Sequence, residues 1–323
     1  MDVSIVIPTK NAGKSFKHVL EMIFMQNTDF SYEVICVDSG SCDETINIIN
    51  QFPVKLIKIA PSEFGHGKTR NLGAKNGTGE FIIFITQDAL PVDNLWLDNF
   101  IKTMKNDPEI AGGFGRHIPY PNCNIFDKRD IERHFEGFGE NGTIFFLEDK
   151  DRYNKDEGYR HMLAFFSDNN SCIRRSVWEK IPYDDVQFAE DQLWAKKIIE
   201  LGYKKIYCKN CPVYHSHNFP LFTYFKRYFD EYKGLYQVYQ YKACDNIFKM
   251  ISLIAWIFYN DLKFVIELKD LSIIKKFYWA YYSLIRNFFR FRAAYLAVTY
   301  FNYDNEKQVE MDKHYSQQLI KKN

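Results

Sequence analysis

Two adjacent carboxylates, Glu190 and Asp191, stand where a helical pattern begins in Phe188-Ala-Glu-Asp-Gln-Leu-Trp194. A helix N-terminus stabilises a charged carboxylate, and such a group can take a proton from an attacking hydroxyl. Plain complementarity to the helix dipole explains the same pair. A second acidic group lies in Asp38-Ser-Gly-Ser-Cys-Asp43-Glu-Thr45, where a strand pattern gives way to a helix. There a carboxylate can accept bonds from a base or ribose while the first helix amides suit phosphate oxygens. A turn capped by Asp43 is the alternative. Asp88, in Thr86-Gln-Asp-Ala89 just after an apolar strand, is placed to hold a hard divalent cation through its carboxylate, or to close a turn.

The basic residues gather in Phe64-Gly-His66-Gly67-Lys68-Thr69-Arg70-Asn71. Gly67-Lys68-Thr69, between a strand and a helix, resembles the end of a phosphate-cradling P-loop, with Phe81 to Asp88 as its metal-binding partner strand. The first glycine of that motif is absent, because position 62 is Ser62, and the βα unit is the third rather than the first. In another geometry His66, Lys68, Arg70 and Asn71 are donors toward a nucleotide diphosphate; a solvated loop is the third reading. His215-Ser-His217 follows a short strand pattern. Alternate residues of an extended segment face opposite ways, so the two imidazoles are expected to divide, one joining the site and one packing. Cys208-x-x-Cys211 has no second pair at zinc spacing and reads as packing.

These groups need a scaffold, and the first hundred residues supply one. Val3 to Pro8, Tyr32 to Asp38, Val54 to Ile59 and Phe81 to Ile85 read as buried strands. Lys14 to Gln26, Asp43 to Gln51 and Thr69 to Asn76 read as helices between them. Repeated βα units with continuous Val/Ile strands predict an α/β fold with a doubly wound, mainly parallel sheet, and such sheets bind ligands at the carboxyl ends of their strands. Further on, Leu95 to Met104 and Glu190 to Leu201 are expected as helices, Ile110 to Ile118 and Leu163 to Arg174 as strands, and Tyr203 to Val213 as one or two short strands. Pro119 to Glu157 has no clear pattern. From Phe219 to Tyr300 the chain reads as helical and is dense in aromatic and basic residues; Leu271 to Tyr300 contains no acid.

At 323 residues the chain suits about two domains of roughly 150 each, with the boundary expected between 218 and 219. Hydrophobic residues at 46% and charged residues at 26% are ordinary for a globular protein and exclude disordered, collagen-like and coiled-coil classes. With 42 Lys and Arg against 41 Asp and Glu, no global field draws nucleic acid. Seven scattered cysteines suit reduced thiols and a cytoplasmic setting, and no signal peptide or spanning segment is expected. The basic aromatic tail suits a peripheral contact with anionic lipid on the inner face of the plasma membrane.

Taken in order, Val3-Ser-Ile-Val-Ile-Pro-Thr-Lys-Asn11, Asp38-Ser-Gly-Ser-Cys-Asp-Glu-Thr45 and Glu190-Asp191 with Trp194 resemble the signature of family-two glycosyltransferases of the GT-A fold, over about residues 3 to 217. Phe64 to Gly73, Thr86 to Ala89, Gly115-Arg116, Ile173 to Trp178, Phe188 to Trp194 and Val213 to His217 are similar to bacterial rhamnosyltransferases of cell-surface polysaccharide synthesis. The resemblance implies a Rossmann-like GT-A catalytic domain over 1–218 and a helical region over 219–323. It implies an inverting transferase, with Asp191 as base and Glu190 beside it. Around the nucleotide sugar it places Pro8, Thr9, Asp38, Ser39, Asp43, His66, Lys68, Arg70, Asn71, Gln87 and Trp194. Asp88 would bind Mg or Mn, helped by His217, because Thr86 stands where the family often has a first Asp. The implied donor is dTDP-rhamnose, with a UDP-sugar as second choice, and the implied acceptor is a lipid-linked glycan. A P-loop hydrolase or kinase and a catalytically silent glycan-binding scaffold are the competing functions.

Overall fold

The structure, a computed structural model, describes residues 1–317, which separate into two compact units, Met1–Ser216 and a second that begins at His217. The first unit runs β1 (Val3–Thr9), α1 (Phe16–Phe24), β2 (Tyr32–Asp38), α2 (Thr45–Ile49), β3 (Val54–Lys58), α3 (His66–Lys75) and β4 (Phe81–Ile85). It continues through β5 (Leu90–Pro91), α4 (Trp96–Lys105), β6 (Ile110–Ile118), α5 (Ile125–Glu136), β7 (Ile144–Phe145), α6 (Lys150–Lys155) and α7 (Glu157–Ala164). It closes with β8 (Asn170–Arg174), α8 (Arg175–Trp178), α9 (Glu190–Glu200) and β9 (Lys204–Tyr214).

The strands form one sheet in the order β3-β2-β1-β4-β8-β6-β9-β5, with β7 also on β9. Strands β3, β2, β1 and β4 are parallel. Beyond them the sheet is mixed: β8 runs antiparallel to both β4 and β6, while β6 and β9 are parallel. The continuous apolar strands follow from cover on both faces. Val34 and Cys36 of β2 enter one core with Phe16, Leu20, Trp96 and Phe100, while Ile35 and Val37 enter the other with Phe114, Phe166 and Trp194. Pro8 is tolerated in a central strand because the pairing of β1 with β4 ends at Val6, so its missing N–H leaves no ladder bond unmade.

Several elements differ from the sequence expectation. Leu163 to Arg174 is not one strand: α7 runs to Ala164 and β8 begins only at Asn170. The polar triplet Asp168-Asn169-Asn170 interrupts the apolar run; Asp168 and Asn169 make a turn and Asn170 opens β8. Tyr203 to Val213 is one long strand, kept continuous by register shifts where β6 passes from Gly115 to His117. Helix α3 starts at His66, not Thr69. Pro119 to Glu157 holds α5, β7 and α6.

The second unit contains α10 (Leu221–Tyr239), α11 (Ile247–Glu267), α12 (Ile273–Thr299) and α13 (Asn305–Tyr315). Ala293, Ala294 and Ala297 of α12 pack against Phe225 and Phe229 of α10, the small residues letting the helices approach closely. Asn246, Ser272 and Asp304 cap α11, α12 and α13 through their side chains. No helix among the described residues is long and apolar enough to cross a membrane. All seven cysteines are free, and Cys208 and Cys211 are buried within β9.

Candidate active site

The carboxyl ends of β1 and β2 form the first wall. Thr9 Oγ1 donates to Asp38 Oδ1 at 3.2 Å, and the other Asp38 oxygen accepts from the N–H groups of Gly40 and Ser41 at 3.1 and 2.9 Å. Ser39 N–H returns to the Thr9 carbonyl at 2.9 Å. Asp38 is thus the knot of this turn as well as its charge. Gly40 has φ +87, and a Cβ there would lie 2.9 Å from Pro61, so glycine is required twice over. Asp43 accepts from Gly13 N–H at 2.9 Å and Thr45 N–H at 3.0 Å. Burial opposes its charge, but these bonds hold its pKa below the usual carboxylate value. Expected to cap the helix, Asp43 instead sits one residue ahead of the cap position, which Glu44 holds.

The basic stretch has a different task from the one its composition suggested. Gly67-Lys68-Thr69 lies inside α3, and a Cβ on Gly67 would stand 2.2 Å from the Asp184 carbonyl oxygen. The glycine admits a neighbouring backbone, not a phosphate, which removes the structural basis of the P-loop reading. Gly67→Ala is expected to destabilise the fold by ~1–3 kcal/mol in chemical denaturation, through overpacking. An unchanged or raised midpoint, as for an ordinary helical Gly→Ala exchange, would refute this account. Lys68 is exposed and lines a shallow 430 Å³ cleft with Glu63, Lys75, Trp178 and Pro182. His66 packs edge-on against Phe64. Asn71 donates to the Tyr183 carbonyl at 2.8 Å and accepts from Trp178 Nε1 at 2.9 Å, so it fastens α3 to the 178–183 segment.

Arg70 is buried, and its guanidinium meets Glu190 Oε1 at 2.6 Å and Asp168 Oδ2 at 3.2 Å. Asp168 also accepts from Ser171 Oγ at 2.7 Å and Tyr183 OH at 2.9 Å. The Asp168 backbone N–H donates to Asp191 Oδ2 at 3.1 Å. Glu190 is therefore the partner of an arginine, and Asp191 is the carboxylate that accepts from a backbone amide. Ala189, just before them, is left-handed at φ 60, a constrained turn that aims the first residues of α9. Three carboxylates face one guanidinium. Burial first, then the charges of Glu190 and Asp168, push the Asp191 pKa well above the usual carboxylate range, against the opposing pull of Arg70. Burial likewise raises Asp168 and Glu190 in spite of Arg70. Trp194 lies in the core, its Nε1 on the Ile181 carbonyl at 2.8 Å and its ring between Phe166 and Tyr183.

Asp88 is brought to the histidines by the sheet. Leu90 of β5 pairs with Tyr214 of β9, which sets Asp88, two residues earlier, beside His215, one residue later. Asp88, His215 and His217 each offer a ligand atom within 4.8 Å of the others. The expectation that the two imidazoles would divide is overturned. Strand β9 ends at Tyr214, so residues 215–217 have left the pleat and the alternation rule no longer applies. His215 Nε2 lies 3.1 Å from Asn169 Nδ2 and its Nδ1 3.8 Å from Asp88 Oδ1. Gln87 bridges to the backbone of Lys10, accepting from its N–H at 2.8 Å and donating to its carbonyl at 3.2 Å, and so ties the β4 and β1 loops together.

Asp168, Asn169 and Tyr183 were not anticipated. Their one signal was the polar triplet at 168–170 inside an apolar run, and Tyr183 had none.

A family model described as glycosyl transferase family 2 matches residues 4–229. The chain is 34% identical over 234 residues to the O-antigen chain rhamnosyltransferase RfbN of Salmonella typhimurium, covering 71% of each chain. It is 33% identical over 231 residues to the O-antigen chain rhamnosyltransferase WbaN of Salmonella anatum, covering 70% of each. Among solved structures it is similar to Staphylococcus aureus TarS 1-349, with a TM-score of 0.53 at 16% identity over 94% of this chain and 91% of that one. The mannosyltransferase PcManGT of Pyrobaculum calidifontis, in complex with GDP-Man and Mn2+, has a TM-score of 0.54 at 17% identity over 96% of this chain and 78% of that one. At these identities the two structures bear on the fold alone.

Proposed function

Because the chain belongs to glycosyl transferase family 2, we propose that it moves L-rhamnose from dTDP-rhamnose to a hydroxyl of a lipid-linked surface glycan at the cytoplasmic face of the membrane. It is a nucleotide-sugar-dependent glycosyltransferase. The observation that supports the chemistry is a continuous connection through the dipeptide Asp168-Asn169. Asp168 bonds Asp191, the proton acceptor, and Asn169 bonds His215, which faces Asp88. In this reading the base and one cation ligand, His215, both bond to one turn.

Asp191 takes the proton of the acceptor hydroxyl as that oxygen bonds to the anomeric carbon. The bond from that carbon to the β-phosphate oxygen breaks, and its electron pair leaves with the nucleoside diphosphate. A single displacement inverts the centre. Thr9, Asp38, Ser39 and Asp43 form the wall offered to base and ribose, with Pro8 fixing the strand end. One carboxylate and two imidazoles fit Mn better than Mg, because imidazole suits transition ions while Mg prefers oxygen and water. When bound there, the cation offsets the charge gathering on the leaving diphosphate. For His215 to offer Nδ1, its proton must sit on Nε2, so Asn169 would turn its amide oxygen toward the ring.

Calorimetric binding of dTDP, UDP, GDP and ADP, with and without Mn, tests the reading, followed by a transfer assay with dTDP-rhamnose. Tight, Mn-enhanced binding of a pyrimidine diphosphate is expected, and preference for ADP would overturn it. Asp88→Asn should lose the Mn-dependent gain in affinity, on the order of 10- to 100-fold, and leave metal-free binding unchanged. His215→Ala should do the same, whereas an unaltered Mn response in that variant would leave His217 as the sole helper of Asp88.

A further inference from the structure

Helices α11 and α12 form a hairpin joined by residues 268–272, and a buried polar clip sets how the two helices face each other. Asp261 Oδ2 accepts from Ser283 Oγ at 2.6 Å and from Asn287 Nδ2 at 3.0 Å, all three side chains being buried. With Asp261 turned inward, the opposite face of each helix is turned outward, and that face is apolar and aromatic. Phe248, Ile251 and Trp256 on α11, and Ile274, Phe277 and Tyr281 on α12, are 56–81% exposed. Their spacings keep each trio on one side of its helix, so the exposure forms a stripe. From Phe248 to Ile266 the stripe is ~27 Å long at helical rise, which exceeds a scattered surface residue and demands a partner.

Charge identifies that partner. Lys249, Lys263, Lys269, Lys275 and Arg292 are exposed on the hairpin, against exposed Glu267 and Asp270 only. Lys263 lies over the Tyr259 ring at 4.4 Å, so cations sit among the aromatic rings. A second copy of the chain would set basic residues against basic residues across a two-fold axis. An anionic bilayer surface instead receives the rings at the headgroup level and the lysines at the phosphates.

We propose that the outward face of the α11–α12 hairpin is a docking surface for anionic lipid, lying in the interface without spanning it. The inference stands apart from the transfer chemistry, because a chain with no catalytic activity would present the same face.

The test is co-sedimentation of the full chain with vesicles of phosphatidylcholine alone or with about a third phosphatidylglycerol, at low and high salt, alongside light scattering for oligomeric state. Binding to the anionic vesicles is expected, weakening with salt, and reduced at least tenfold in W256S/F277S. Both positions are exposed, so that variant should keep its melting temperature and its nucleoside-diphosphate binding. Absence of binding to anionic vesicles by the native chain would overturn the proposal. So would a dimer that the same double substitution dissociates, which would make a second copy the occupant. Loss of vesicle binding with intact nucleotide binding separates this surface from the active-site reading.

Discussion

Asp191→Asn should lower kcat by ~10²- to 10⁴-fold, the range for loss of a general base, with dTDP affinity unchanged. The exchange is nearly isosteric: the amide oxygen can still accept the Asp168 N–H that positions Asp191, while the amide nitrogen replaces the oxygen that accepts from the Gln192 N–H at 2.7 Å. What is lost is proton affinity. That affinity is unusually high in the native site, because burial and the charges of Glu190 and Asp168 raise the carboxyl well above its ordinary pKa. A base must be deprotonated to act, so kcat/KM should fall as pH drops through this raised value, giving an acid limb at higher pH than an ordinary carboxylate would. Stability has the opposite sign. A pKa higher in the folded than in the unfolded chain means that folding favours the protonated carboxyl. That stabilisation is complete below the unfolded pKa and lost as pH rises through the folded one. The substituted amide carries no charge to bury but gives up the bond from the Gln192 N–H, so the melting temperature of the inactive variant should rise relative to the native chain as pH increases. Full transfer activity in this variant would return the weight to a silent scaffold, and an acid limb at the usual carboxylate pH would remove Asp191 as the base.

How much of this was visible beforehand follows from the range of the interactions. The parallel half of the sheet was legible, since Val3 to Ile7, Tyr32 to Asp38 and Phe81 to Ile85 are Val/Ile-rich runs covered on both faces. The rule that ligands gather at strand ends then directed attention to Thr9, Asp38 and Asp88. The mixed half was obscured, because β8 opens with polar residues and β9 passes a register shift. Side-chain tasks were the least legible. Arg70 looked like a phosphate ligand among basic neighbours, yet its partner Glu190 lies 120 residues away. Nothing local reveals that an arginine is buried. The histidine pair failed for the converse reason: a local rule was applied one residue past the point where the strand ends.

Arg70→Met should cost ~3–5 kcal/mol of stability, the range for removing one partner of a buried ion pair. Met approaches the length of the side chain but leaves Asp168 and Glu190 facing each other without a cation. Arg70→Lys should recover little, because the native contacts use two separate guanidinium nitrogens, Nε toward Asp168 and Nη1 toward Glu190, and an ammonium is one point of charge. Neutralising the acids as well, in Arg70→Met/Asp168→Asn/Glu190→Gln, should return much of the loss, since no uncompensated charge then remains buried. The catalytic readout distinguishes electrostatics from mere loosening. The Arg70 charge lowers the Asp191 pKa, so its removal should shift the acid limb of kcat/KM to still higher pH in whatever fraction remains folded. The triple variant removes the two raising charges together with the lowering one. Burial, opposed by the surviving bond from the Asp168 N–H, then acts on Asp191, and its limb should return toward lower pH than in Arg70→Met. If all three variants lost stability equally and their pH profiles coincided, Arg70 would be packing rather than the counter-charge that sets the base.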